Sequence, residues 1–379
     1  MLDNITVLNL ASVGPSARAA QWLADYGAKV LQIGSVASGR QIEPAFHAYG
    51  ARRGVQRLNL DLKLESGREV LYRLVATSDV LLESFRPQVV NKLGIDYTTL
   101  SNINPRLVYC STSGYGQSGP YAQWAGHDIN YLALGGFLEC TGRAADGTPA
   151  LPGATVADSA GGGMQACMSI MAALLQRGSS GRGRYLDVAV IDGVLSMMSL
   201  YVDQYLAIGE PVTTGSALLT GRYAWYGVYP TRDHRFVAVG AIEPRFYSNL
   251  CTALGLDGFK KDQYCDARQP ALRDALRDAF SQRDRDEWVA LLAHRDTCVA
   301  PVLSIAEATV DPHLQARRSV CEVQHAQHGV FKQLAPLWAG IPRPERVSLD
   351  ATNDSAAILR GAGYSESQIV DLLESEAAE

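Results

Sequence analysis

Two residues have the types and settings for proton chemistry. His127 lies in Gly126-His127-Asp128-Ile129-Asn130-Tyr131, and Asp158 lies in Val156-Ala157-Asp158-Ser159-Ala160-Gly161-Gly162-Gly163. Each stands just ahead of an apolar segment. A histidine is a base available near neutral pH. A carboxylate at a helix start is favoured by the helix dipole. The two look like halves of one site. Each also has a plainer reading: His127 as a satisfied core histidine, Asp158 as an N-cap.

The other motifs carry less chemistry. Gly114-Tyr115-Gly116-Gln117-Ser118-Gly119 matches GxGxxG, and Glu139 lies 20 residues after Gly119. A dinucleotide fingerprint belongs in the first strand-to-helix turn. Here the glycines come after about five strands, and Pro120 stands directly after them. A flexible loop beside the site fits better. No GxSxG elbow exists, because Ser113 lacks the upstream glycine. Cys321, His325 and His328 are too loosely spaced for a metal site and read as a solvated loop. Met164, Met168 and Met171 share a helix face, and Met197 and Met198 come later in the chain. Such a set either packs a core or accepts a flexible apolar chain.

The elements that must position these residues read as an α/β fold. Strands fall at 5–10, 30–33, 57–60, 80–82 and 107–111, with helices at 17–26, 66–76 and 87–93 between them. Strand–helix alternation of this length predicts a doubly wound, Rossmann-like parallel sheet. A helix over 158–177, a strand at 185–190 and a helix over 191–205 come next. Beyond 222 the texture changes to antiparallel strands and three amphipathic helices, at 244–254, 270–282 and 284–294. The expected layout is a large α/β domain over 1–200, a small α+β domain over 222–318 and a C-terminal return over 325–379. A strand-like stretch at 328–335 and terminal helices at 353–361 and 365–373 belong to that return.

Composition narrows the classes. The chain has 379 residues, 47% apolar and 19% charged, with a net charge of −5, ordinary for a globular enzyme. No block of five like charges occurs, so there is no nucleic-acid footprint, though a small anion remains admissible. Seven scattered cysteines without CxxC spacing read as free thiols. The N-terminus lacks signal-peptide features, and no 18-residue apolar run predicts a membrane span. The cytoplasm is the expected location.

The chain resembles the family III CoA-transferases (CaiB/BaiF) and, within them, the racemase branch. The resemblance runs nearly end to end. It rests on Asp61-Leu62-Lys63, Leu93-Gly94-Ile95-Asp96, Asn104-Pro105-Arg106-Leu107, Ser113-Gly114-Tyr115-Gly116, the Gly126–Tyr131 motif and Asp158 ahead of its glycines. Ser180-Gly181-Arg182-Gly183, Gly240-Ala241-Ile242-Glu243-Pro244 and Gly363-Tyr364-Ser365 continue it. That likeness implies roles for several residues. In transferases the Asp158 position is a covalent nucleophile that carries acyl and CoA in turn. In racemases it is one of two proton-transferring groups, His127 is the other, and Glu243 holds the histidine. The backbone N–H of Asp128 would serve the enolate oxygen. The activity implied is inversion of 2-methylacyl-CoA thioesters by 1,1-proton transfer, with CoA transfer between carboxylic acids as the alternative. An acyl-CoA-binding protein without catalysis is a third reading, disfavoured by the three retained residues. No cofactor is implied. The partners implied are the acyl-CoA and a second copy, in an interlocked homodimer. Arg53, Lys63 and Arg86 match CoA-anchoring positions. Gly114, Tyr115, Gly116, Tyr131, Met197 and Met198 are expected along the substrate. The chain departs from the pattern at Gly34, where an acidic residue is usual, and at Val55-Gln56, where Lys-Arg is usual.

Overall fold

The computed structural model describes residues 1–36, 44–349 and 355–379. They form two compact units. The large one comprises Met1–Gly136, Pro152–Ser199 and Pro312–Glu379, and the small one Phe137–Leu151 and Leu200–Asp311.

The large unit holds a six-stranded sheet of β1 (Thr6–Asn9), β2 (Lys29–Gly34), β3 (Val55–Asn59), β4 (Val80–Glu83), β5 (Val108–Ser113) and β6 (Tyr185–Ala189). Its order is β3-β2-β1-β4-β5-β6, and every pairing is parallel. This is a doubly wound sheet, with its topological switch between β1 and β4. Strand alternation divides the core into two layers. Val7, Val30, Val80, Val108 and Val188 face helices Gly14–Asp25 and Gln165–Ser180. Leu8, Leu31, Leu81 and Tyr109 face the opposite layer, which includes Val70 and Leu71 of helix Glu65–Thr77. A parallel sheet covered on both faces needs such nearly continuous apolar strands.

The small unit has the antiparallel sheet β7 (Tyr226–Pro230), β8 (Phe236–Gly240) and β9 (Val299–Pro301), ordered β7-β8-β9. Tyr247 and Leu250 of helix Pro244–Ala253, and Leu272, Leu276 and Phe280 of helix Gln269–Phe280, fill its core.

The return to the large unit carries a second three-stranded sheet of β10 (Val320–His325), β11 (Gly329–Leu334) and β12 (Arg346–Leu349). Only β11 was expected. Helices Ser355–Gly361 and Glu366–Glu374 then place Leu359, Ile369 and Leu372 in the leucine layer. The expected start of the first of these helices, 353–354, lies outside the described residues.

The compact units divide the chain at positions other than the expected domain limits. Residues 137–151 group with the small unit, where Thr214 N–H donates to Glu139 O at 3.2 Å and the Cys140 side-chain thiol donates to Val212 O at 3.5 Å. The small unit runs from 200 to 311 rather than 222 to 318, and the return begins at 312 rather than 325.

Two helices also differ. The segment expected as one helix from 191 breaks at Met198 into Val190–Met197 and Ser199–Ile208. The helix expected from Asp158 opens one residue earlier, as a π-helical turn over Ala157–Met164, and continues as Gln165–Ser180.

Candidate active site

The carboxyl ends of β4, β5 and β6 carry the turns from which the site is built. His127 is the N-cap of helix Asp128–Leu134, in an extended backbone conformation. Its N–H donates to Asn130 Oδ1 at 3.0 Å, which fixes the entry to the helix. The imidazole is exposed in the chain. Asp128 is the first helical residue, where a backbone N–H has no acceptor within its own helix.

Asp158 does not cap a helix. Val156 holds that position, and no side-chain cap bond is made there. Instead the Asp158 N–H donates to Asp128 Oδ1 at 2.8 Å. One carboxylate thus ties the segment that begins at His127 to the turn that bears Asp158. The Asp158 carboxyl is raised above the usual carboxylate range by burial and then by the charge of Asp128. The positive charges of Arg18 and His127 oppose the shift. Arg18 also donates from Nη2 to Thr155 Oγ1 at 2.7 Å, one turn before Asp158. Arg18 did not stand out in the sequence, because it lies far along the chain on the first helix.

The glycines after Asp158 have packing reasons. A Cβ on Gly162 would lie 2.7 Å from Pro15 Cβ, and one on Gly163 would lie 2.9 Å from Trp22 Cζ3. A Cβ on Gly193, in helix Val190–Met197, would lie 2.0 Å from Gly161 O. The Asp158 turn is therefore clamped between two helices at backbone contact. Gly193→Ala is expected to destabilise the protein by about 1–3 kcal/mol net of alanine's better helix propensity. The check is the urea midpoint, with an unchanged midpoint counting against the close crossing.

A cleft of about 400 Å³ opens beside His127, lined in part by Arg86, Gly114, Tyr115, Trp124 and Tyr131. Tyr131 organises it. Its hydroxyl donates to Gly126 O at 2.7 Å. A Cβ on Gly114 would come within 2.3 Å of its ring, and one on Gly126 within 2.7 Å. The ring meets Tyr115 edge-on, with centroids 5.2 Å apart. Burial pushes the Tyr131 phenol up to about 12, followed by the charge of Asp158, while Arg86 opposes. Tyr131 therefore stays neutral at physiological pH. Gly116 adopts φ +85°, open to glycine at little cost, and the next amide, Gln117 N–H, donates to Asp187 Oδ2 at 3.1 Å.

The remaining expected residues divide. Lys63 is exposed and lines a second hollow, of about 240 Å³, with Gly34, Ser35 and Phe85. A Cβ at Gly34 would come within 2.1 Å of Asn59 Oδ1, so a side chain there would require Asn59 to shift. Arg53 is engaged within the protein. Its guanidinium makes two bonds to Asp25, Nε to Oδ1 at 2.7 Å and Nη2 to Oδ2 at 2.8 Å, and donates from Nη1 to Leu334 O at 2.9 Å. Met198 is buried at 6% exposure, so of the two adjacent methionines only Met197, at 38%, offers surface. Glu243 is the exposed N-cap of helix Pro244–Ala253 in the small unit. Among the described residues no cluster of His, Cys, Asp and Glu is placed to hold a metal ion.

Comparison with known proteins gives the family of the chain. The sequence profile of CoA-transferase family III matches residues 2–351. The chain is 35% identical to α-methylacyl-CoA racemase of Mus musculus over 98% of this chain and 96% of that one. It is 30% identical to succinate–glutarate CoA-transferase of Agrobacterium fabrum, covering 83% of each. The crystal structure of a CaiB/BaiF family protein from Brucella suis superposes with TM-score 0.75 at 27% identity, over 95% of this chain and 99% of that one. The chain belongs to CoA-transferase family III, whose members include both racemases and CoA-transferases. Among the described residues no helix is long and apolar enough to cross a membrane.

Proposed function

We propose that the protein is a racemase or epimerase of 2-methylacyl-CoA thioesters. The observation that carries this is the Asp128 bond to the Asp158 amide, which brings a histidine base and a carboxyl of raised pKa under one structural constraint. His127 takes the α-proton from one face, leaving a planar enolate, and the Asp158 carboxyl returns a proton to the other. For the opposite hand the roles exchange. The Asp128 N–H, at the start of its helix, is the donor for the enolate oxygen, a contribution of roughly 3–4 kcal/mol in preorganised sites. No cofactor takes part. Arg86 and Lys63 receive the CoA phosphates, and Met197 borders the acyl chain.

The working form is a homodimer in which Glu243 of the partner subunit supports His127. Exposed apolar residues support an assembly. Helix Ser199–Ile208 has no buried residue and shows Leu200 at 60%, Leu206 at 74% and Ile208 at 62%. In the large unit Met168 is 61% and Leu175 82% exposed. All seven cysteines are free, in keeping with a reducing cytoplasm.

The test is incubation with one enantiomer of a 2-methylacyl-CoA in deuterium oxide, without an acceptor acid. α-Deuterium incorporation with loss of optical purity is expected. Absence of exchange, with CoA passed to an added carboxylic acid through Asp158, would replace this reading with the transferase.

A further inference from the structure

A third acidic group lies beneath the cleft. Glu83 ends β4, beside the topological switch, and is 1% exposed. It ends an otherwise apolar strand, Val80-Leu81-Leu82-Glu83. Its carboxylate is surrounded by donors. Phe85 N–H donates to Oε2 at 2.7 Å, and the Ser111 hydroxyl donates to Oε1. Ser111 is its partner across the β4–β5 ladder. The bond to Phe85 closes the chain on itself where it leaves the sheet, and the residues so held, Phe85, Arg86 and Pro87, form one wall of the cleft. Pro87 is buried, whereas Arg86 is exposed. The turn is therefore anchored on both sides of its one cation.

The titratable groups facing Glu83 are all acids. Asp187 and Tyr185 lie on β6, and Tyr109 and Cys110 on β5. Tyr97, from helix Tyr97–Ile103, closes the ring cluster at 5.5 Å from Tyr185 and 6.0 Å from Tyr109. Arg86 is the charge on the turn itself.

We propose that Glu83 is a positioning residue, whose ionised carboxylate holds the Phe85-Arg86-Pro87 turn in the form that receives the CoA thioester, and whose protonation relaxes that hold. The proposal rests on the acyl-CoA reading of the cleft. A backbone N–H to a carboxylate is about twice as strong as one to a neutral acid. On protonation, Ser111 can turn to accept the new proton, but the Phe85 amide keeps only a neutral acceptor. Burial pushes the Glu83 carboxyl up to about 7, against the bonds from Ser111 and Phe85 and with the charge of Asp187 adding to the rise. The change of state thus falls within the physiological range.

The sign for stability is opposite to that for binding. A carboxyl raised in the folded state keeps its proton after the unfolded chain has lost it. Its stabilising contribution is full below the usual carboxylate range and is lost as pH rises through about 7. The same rise tightens the turn.

Glu83→Gln tests this, since glutamine copies the protonated acid in shape and bonding. Acetyl-CoA affinity is measured for both proteins from pH 5.5 to 8.5, so that titration of the ligand cancels in their ratio. Hydrogen exchange at Phe85 and Arg86, corrected for intrinsic rates, reports the turn without any ligand. At pH 8.5 the variant should bind about three- to tenfold more weakly and exchange faster at the turn. At pH 5.5 the two proteins should coincide in both measurements. Equal binding and equal exchange at every pH would overturn the proposal. Should the wild type bind no acetyl-CoA at all, the acyl-CoA reading fails, and exchange alone decides whether Glu83 holds the turn.

Discussion

His127→Ala should lower racemisation of a 2-methylacyl-CoA by about 10²–10⁴-fold. The loss should fall on both enantiomers, because His127 serves as base for one and as acid for the other. Asp158 cannot substitute, since a single group reaches only one face of the enolate. The variant should keep its fold. The imidazole is exposed, and the bond that shapes the helix entry is made by the backbone N–H of residue 127 to Asn130. An unchanged thermal midpoint with lost racemisation would locate the defect in chemistry. Racemisation retained within a few-fold of wild type would remove His127 from the mechanism. A CoA transfer that persisted in this variant would move the assignment to the Asp158 nucleophile.

Arg53→Leu should act on stability instead. The Arg53 and Asp25 side chains are 11% and 3% exposed, and their forked pairing is reinforced by Gln21 Nε2 on Asp25 Oδ1 at 3.2 Å. Removing the guanidinium leaves Asp25 buried without its counter-charge and Leu334 O without this donor. Breaking a buried pair on one side costs about 3–5 kcal/mol. Urea denaturation should show the loss, while the folded fraction binds acetyl-CoA as the wild type does. A large drop in affinity with an unchanged denaturation midpoint would restore Arg53 to the substrate.

Much of the large sheet was legible because its strands are short apolar runs separated by helical periods. Val80-Leu81-Leu82 and Leu107-Val108-Tyr109-Cys110 admit few other readings. β10 and β12 escaped notice because Val320–His325 and Arg346–Leu349 mix polar and apolar residues at weak contrast, and only Cys321 and Val323 of the two are buried. Asp158 read as an N-cap because aspartate before small residues is the usual signature. A π-helical turn depends on close contact with two other helices, which no local rule encodes. The glycines at 114 and 126 were visible as a flexible loop, but their reason is the Tyr131 ring, which comes to lie against both. Arg53 was matched by position, and its partner Asp25 lies on the preceding helix with nothing in the spacing to announce the pair. Glu83 carried a usable signal: a carboxylate closing an apolar strand of a parallel sheet has to be held by something.

The large unit is assembled from three separated stretches of chain, and this bears on how it is made in the cell. A ribosome delivering the chain in order completes the six-stranded sheet with β6, at Ala189. The outer edge of β3 is still bare at that moment. Asn59 exchanges both backbone hydrogen bonds with Glu379, and Asp61 N–H donates to Ala377 O. Leu359, Ile369 and Leu372, which complete the leucine layer, arrive equally late. A nascent chain therefore presents an open strand edge and an uncovered apolar face while Leu200–Asp311 of the small unit is being synthesised. Chaperone demand, and the yield of soluble protein on overexpression, should respond to substitutions in the last two helices more strongly than their distance from the cleft suggests.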